Sequence, residues 1–306
     1  LLCGSSTLHA QDFKLTSSGY FKNQGVDVMA FDDIYPEGHQ GGVCIIMNGH
    51  RVATNGDIRL EATPGQWQPV PKQLDRKLGD NSITATLCYP DSSRHLTGFN
   101  PMIYPDLHLI YTVNVESKGK NIEVTVDLDR PIPQEFIGKV GFNLEFFPGS
   151  LFGKPWIMDG QSGIFPQQPN SPLMTTQPNY LHTGNYHDGK KSLADMNKLI
   201  GKGYSPIVAD DIISEPYAKG TKFTSRPDDP YNKVTIESLS GDLQLFDGRM
   251  NHNNGWFVLR SNIKPGVTKG AVKWIITPNV VADWMYQPVI QTSQIGYHPT
   301  QDKEAV

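Results

Sequence analysis

The sequence predicts an all-β protein built around a large antiparallel β-sandwich, and three features carry that prediction. Apolar and polar residues alternate with period two in many short windows, 29 Gly and 23 Pro punctuate those windows, and convincing helical periodicity appears at a single place. A strand turns successive side chains to opposite faces, so alternation marks a strand with one face in a core.

The clearest window is 121–129, where Ile122, Val124, Val126 and Leu128 face one way and Glu123, Thr125 and Asp127 the other. Leu107, Leu109, Tyr111, Val113 and Val115 alternate just before it, and Ser117-Lys118-Gly119-Lys120 supplies the turn of a hairpin. Further strands are expected at Val43–Met47, Ile58–Glu61, Ile83–Tyr89, Lys139–Phe147, Val234–Glu237, Leu243–Phe246, Trp256–Arg260 and Val272–Thr277. The helical window is Lys190–Ile200, where Leu193, Met196, Leu199 and Ile200 share a face and Gly201 stops the pattern. Between Phe147 and Thr183 the chain is rich in Pro, Gly, Gln and Asn. Its Trp156, Ile157, Met158, Ile164 and Phe165 argue against a solvated linker and for a segment that is functional or covers a sheet face.

The chain has 306 residues and a formal net charge of −4, with Lys and Arg scattered. No basic stripe exists to neutralise a phosphate backbone, so nucleic acid is not an expected partner. Few charges and 30 aromatic residues suit a turn-rich protein that displays rings to neutral ligands such as sugars. Leu1-Leu2-Cys3-Gly4-Ser5-Ser6-Thr7-Leu8-His9-Ala10 reads as the end of an apolar signal region followed by a small residue, which makes 1–11 a signal-peptide remnant and predicts export. No later stretch approaches the roughly 18 continuous apolar residues that span a bilayer, so no transmembrane segment is expected. Cys44 and Cys88 lie in apolar, strand-like runs. They can pair across neighbouring strands or sit as buried free thiols, and the latter is preferred because a core of this size needs no staple.

Sugar binding uses aromatic faces together with planar amide, carboxylate or guanidinium groups. Loop aromatics that fit are Trp67, Trp156, Tyr180 and Tyr186, although each ring alone is more readily explained by plugging a sheet edge or packing under a loop. The acidic runs Asp32-Asp33 and Asp210-Asp211 read as solvated turns without the spacing of a calcium loop. Glu145, in the apolar run Asn143-Leu144-Glu145-Phe146-Phe147, needs a partner if it faces inward. The histidines show no His-Glu-x-x-His or His/Cys grouping, and Gly-x-Ser-x-Gly elbows and phosphate loops are absent, so no metal, cofactor or nucleophilic triad is expected.

Trp274-Ile275-Ile276-Thr277-Pro278 ends the last strong strand, and a boundary near residue 286 precedes fresh alternation from Val289. There Gln294-Ile295-Gly296-Tyr297-His298-Pro299, followed by Lys303-Glu304-Ala305-Val306, resembles the opening of the immunoglobulin-like module that precedes the catalytic domain in family 9 glycoside hydrolases, the cellulase-type enzymes. The family pattern is Gln-Val-Gly-Tyr-x-Pro and then Lys-x-Ala, so Gln294, Gly296, Tyr297 and Pro299 carry the match and Ile295 replaces Val. The match covers about twenty residues, a small part of the chain.

The resemblance implies that 287–306 is the first strand of a truncated immunoglobulin-like sandwich and that 12–286 is a large accessory sandwich, by analogy of the sugar-mutarotase supersandwich type. It also implies a C-terminal helical-barrel catalytic domain in the same polypeptide, whose Asp and Glu pair acts by inversion, and it places no catalytic residue in this chain. The function so implied is that of a non-catalytic accessory region of a hydrolase acting on a β-glucan-like polysaccharide. Such a protein is secreted, to the periplasm or the outer surface of a Gram-negative bacterium. Two alternatives stand beside it: a stand-alone carbohydrate-binding module, and a mutarotase-like or lyase-like enzyme using carboxylates such as Glu145 or Asp159.

Overall fold

The computed structural model describes residues 12–32, 41–61, 63–64, 71–89, 107–168, 174–176, 212–250, 255–287, 290, 292–293 and 295–303. Among these, β1 (Lys14–Leu15), β2 (Phe21–Asn23), β3 (Val26–Ala30), β4 (Val43–Met47) and β5 (His50–Leu60) come first. A meander follows: β6 (Lys72–Leu78), β7 (Ser82–Cys88), β8 (Ile110–Lys118) and β9 (Asn121–Leu128). Next are β10 (Val140–Phe146), β11 (Pro155–Met158), β12 (Gln161–Ile164), β13 (Met174–Thr176), β14 (Ile212–Ser214), β15 (Ala218–Gly220) and β16 (Lys222–Ser225). The last four are β17 (Val234–Ser238), β18 (Leu243–Asp247), β19 (Phe257–Asn262) and β20 (Val272–Pro278). Single-turn 3-10 helices are the only helices among the described residues, and none of them is long or apolar enough to cross a membrane.

The strands form two nine-stranded sheets. The first runs β1-β2-β3-β4-β5-β10-β19-β18-β15 and the second β12-β11-β16-β17-β20-β9-β8-β7-β6, with β13 and β14 as a separate pair. All pairings between these strands are antiparallel. The sheets share one core. Phe142 of β10 meets Trp274 of β20 edge-on at 5.0 Å, and Phe146 meets Phe223 of β16 at 5.8 Å. The Trp274 indole N–H donates to Ser261 Oγ at 3.0 Å, so the buried ring also satisfies its polar atom across the interface. This is an all-β, antiparallel two-sheet sandwich, the fold class that the alternation predicts.

Strands formed where alternation is strong, with β8 and β9 in the register that the 117–120 turn sets. The segment after Phe147 is structural at its start: β11 and β12 pair as a hairpin at one edge of the second sheet, and Met158 and Phe165 are fully buried. Cys44 lies on β4 of the first sheet and Cys88 on β7 of the second, so they do not occupy neighbouring strands; both are free thiols. The Cys44 thiol sits 2.9 Å from Thr54 Oγ1.

The described residues among 287–303 add no strand to either sheet, and the side chains of Ile290 and Ile295 stand in solvent. Val289, where the fresh alternation is expected to begin, lies outside the described residues. The segment is held locally, by the Gly296 N–H on the Ser293 carbonyl and the Ser293 N–H on the Tyr297 hydroxyl. The helical window Lys190–Ile200 lies outside the described residues.

Candidate functional site

The two faces of the first sheet have opposite chemistry. On β10, Phe142, Leu144 and Phe146 enter the core, so Asn143 and Glu145 project from the other face, and both are buried. Register carries this polar face across three strands: Asn143 pairs with Asp57 of β5 and with Arg260 of β19, and Gly141 pairs with Arg59. Glu61 follows directly after β5. Asp57, Arg59, Glu61, Glu145 and Arg260 are each no more than 6% exposed, which places five ionisable groups out of water on one surface. Charges so placed persist only when paired or hydrogen-bonded.

One half of this surface is a closed network. Arg260 Nη1 donates to Glu61 Oε1 at 3.3 Å and to Asn143 Oδ1 at 3.1 Å, Nη2 donates to the Glu61 carbonyl at 3.1 Å, and Nε donates to Asn262 Oδ1 at 2.7 Å. Asn143 Nδ2 completes it with a 2.6 Å bond to Glu61 Oε1. Gly141 makes room for the guanidinium, since a Cβ there would lie 2.8 Å from Arg260 Nε.

The other half is open. Between Asn143 and Glu145 the register slips, so that Asn55 and Gly56 together oppose Leu144 in a bulge. Asn55 takes a left-handed φ of 56°, and its Nδ2 is thereby aimed at Glu145 Oε2, 2.5 Å away. Asn55 Oδ1 and Arg59 Nε are buried and have no hydrogen-bond partner among the described residues. A buried acceptor and a buried donor left open on one surface are what a hydroxylated ligand or ordered water satisfies.

Burial also shifts the acids. Desolvation raises Glu61 to about 7 against the attraction of Arg260, with Glu145 adding to the rise. Desolvation raises Asp57 to about 6, opposed by Arg59, by the Ile58 N–H and by the Tyr111 hydroxyl, which reaches Asp57 Oδ1 at 3.0 Å from the second sheet. The same desolvation lowers Arg260, so burial drives both members of the Glu61–Arg260 pair toward neutrality. On Arg59 burial also opposes the charge, but Glu145 and Asp57 outweigh it and raise its pKa. Carboxyls that ionise between about 6 and 7 can give or take a proton near neutral pH, and the guanidinium and amides supply the planar donors and acceptors that hydroxyls use.

Of the residues expected from sequence to carry recognition, Trp156 lies on β11 with its ring buried to 6% exposure. It offers no face from a loop, because the segment that looked irregular pairs as a hairpin and turns that ring inward. Trp67, Tyr180, Tyr186 and Gln294 lie outside the described residues, as do Asp33 and the Asp210-Asp211 pair. Gly296, Tyr297 and Pro299 stand outside both sheets. Glu145 is buried on the face away from the apolar core and accepts from Asn55 there. Asp159 instead anchors a turn, accepting from the N–H groups of Thr221 and Lys222, which together with the Thr221 hydroxyl hold its carboxyl below the usual range. No group of three or more His, Cys, Asp and Glu is arranged to hold a metal among the described residues. Asp57, Arg59, Glu61, Asn143 and Arg260 were not singled out in the sequence, although the alternation of Asp57, Arg59 and Glu61 with Ile58 and Leu60 is visible there.

A two-sheet sandwich with a buried, charged polar face on one sheet is the class of protein these features define. No family model matches the chain, and no curated protein matches it. Among solved structures it is similar to the Slr1438 protein from Synechocystis, at 10% identity and a TM-score of 0.37 over 88% of this chain and 96% of that one. A galactose mutarotase-like protein from Lactobacillus casei matches at 11% identity and a TM-score of 0.37, over 87% of this chain and 98% of that one. A galactose mutarotase related enzyme from Lactobacillus acidophilus matches at 9% identity and a TM-score of 0.31, over 84% and 96% of the two chains.

Proposed function

We propose that this chain is the N-terminal, non-catalytic accessory region of a secreted glycoside hydrolase acting on a β-glucan-like polysaccharide, with hydrolysis of O-glycosyl bonds carried out by a catalytic domain further along the same polypeptide. The supporting observation is the tail. Ile295-Gly296-Tyr297-His298-Pro299, which resembles the opening of the cellulase-type immunoglobulin-like module, belongs to neither sheet. A motif that the sandwich does not use is accounted for by a module that follows. The signal-like start, Leu1 to Ala10, fits delivery to the periplasm or the outer surface of a Gram-negative cell. Expression of the complete gene product tests the reading: it is expected to hydrolyse barley β-glucan or carboxymethyl cellulose with inversion at the anomeric carbon. A coding sequence that continues past Val306 without an Asp and Glu pair in a helical domain overturns it.

The polar face favours a second reading, a mutarotase-like or lyase-like activity of the sandwich itself, because Arg59 Nε and Asn55 Oδ1 leave hydrogen-bonding capacity buried on the face that carries Glu145. Glu145→Gln keeps the Asn55 contact geometry and removes the charge, so it is expected to abolish any sugar epimerisation or elimination by the chain. Retained turnover in that variant removes this reading.

A further inference from the structure

We infer that the end of the sandwich where the chain leaves it carries a carbohydrate site, a cleft of about 550 Å3 lined by Asn48, His50, Tyr231, Asp283, Trp284 and Tyr286. The inference deepens the reading of the chain as part of a polysaccharide hydrolase and rests on it for the ligand class.

The sandwich itself builds the cleft. Two turn glycines, Gly25 between β2 and β3 and Gly49 between β4 and β5, hold φ of +65° and +83°, which side-chain-bearing residues rarely adopt. Each leaves the space of its missing Cβ to a ring: a Cβ on Gly25 would lie 2.6 Å from Trp284, and one on Gly49 would lie 3.1 Å from Tyr286. Trp284 and Tyr286 then meet edge-to-face at 4.3 Å. Around them, Gln24 Nε2 donates to the Trp284 carbonyl, and Asn48 Nδ2 donates to the Tyr231 carbonyl at 2.5 Å. The Asn279 N–H donates to the Lys233 carbonyl, and Val280 packs on the core. Residues 279–286 are therefore fastened at several points, and their rings are positioned before any ligand arrives.

What the rings present is unusual for this molecule. Trp274, Tyr111 and eight of the phenylalanines are almost wholly buried, whereas Tyr231 is 49% exposed and Tyr286 66% exposed at the cleft. Exposed ring faces bind the C–H faces of sugars, and His50, Asp283 and the Asn48 amide beside them suit hydroxyls. The volume lies within the roughly 300–1,000 Å3 of small-molecule sites. A β-linked glucan with equatorial hydroxyls offers flat apolar faces edged by hydroxyl groups, which is the complement of this lining.

Cellotetraose titrated into the chain, followed by tryptophan fluorescence and calorimetry, tests the inference. Saturable binding is expected, weakened at least tenfold in Tyr231→Ala and in Tyr286→Ala, whose exposed rings can be removed without disturbing the core; unchanged thermal melting checks that both variants are folded. Absence of saturable binding by cellotetraose, or equal affinity in both folded variants, overturns the inference. If the complete protein hydrolyses β-glucan while the chain ignores cellotetraose, the cleft inference falls and the hydrolase reading stands. Binding through these rings in a protein without hydrolase activity reverses that result.

Discussion

Around Arg260 and around Arg59 the first sheet buries the same kinds of residue, a guanidinium, an amide and carboxylates, with different outcomes. Arg260 places three of its nitrogens on Glu61, Asn143 and Asn262, and the carboxylate answers with a second bond from Asn143. Arg59 instead lies under the charges of Glu145 and Asp57 with Nε open, and the Asn55 side-chain oxygen on the same strand is also open. Regular pairing of β10 with β19 produces the first arrangement and the bulge at Asn55 the second. A buried polar network made on unbroken register closes on itself and serves the fold. One made at a register slip keeps unused valences, and those are where a ligand can be held.

That contrast can be broken most directly at Arg260. Arg260→Met leaves Glu61 and Asn143 buried without their donor, so urea denaturation at neutral pH is expected to show a loss of about 3–5 kcal/mol. A loss below about 1 kcal/mol puts the two halves on the same footing. pH probes the same network. Glu61 at about 7 and Asp57 at about 6 bind protons more tightly folded than unfolded. Their contribution to stability is therefore full in the acid range, below their ordinary values, and is lost as pH rises toward 7. The urea midpoint is expected to fall between pH 4.5 and 7 by an amount on the order of 2–3 kcal/mol in stability, and Glu61→Gln to flatten the profile.

Gly141→Ala sharpens the comparison from the backbone side. Its Cβ presses on the Arg260 guanidinium and the Ser261 carbonyl, each at 2.8 Å, and about 1–3 kcal/mol is expected to be lost in thermal or urea melts. The smallest effect belongs to the open half. Asn55→Gly removes the bond to Glu145 but suits the left-handed φ of 56°, so a net loss of about 1 kcal/mol or less is expected.

The core was legible in the sequence because the core is what alternation reports. β4, β7, β9, β17 and β20 fall within a residue or two of the windows that predict them, and β8 lies three residues later than its window. β6 was not legible, since Lys72–Leu78 is an edge strand with mostly exposed side chains and no apolar stripe. β11 was hidden by flanking Pro and Gly. The polar face was half visible: Asp57, Arg59 and Glu61 show the period of a strand, but charged alternates look the same whether water or protein covers them. Only the register that sets Asn143 beside both Asp57 and Arg260 joins residues far apart in the chain, and no local pattern encodes it. The Asn55-Gly56 pair, between Val52-Ala53 and Ile58, was the one local sign of the bulge.

The place of β20 bears on how such a molecule is made. It is the seam of the second sheet, between β17 and β9, yet it leaves the ribosome after all its neighbours. Until residue 278 has been polymerised, β9 and β17 each present a bare edge, and the meander from β6 to β9 waits on a partner more than a hundred residues away. Vectorial synthesis therefore leaves the two parts of this sheet unjoined until β20 arrives.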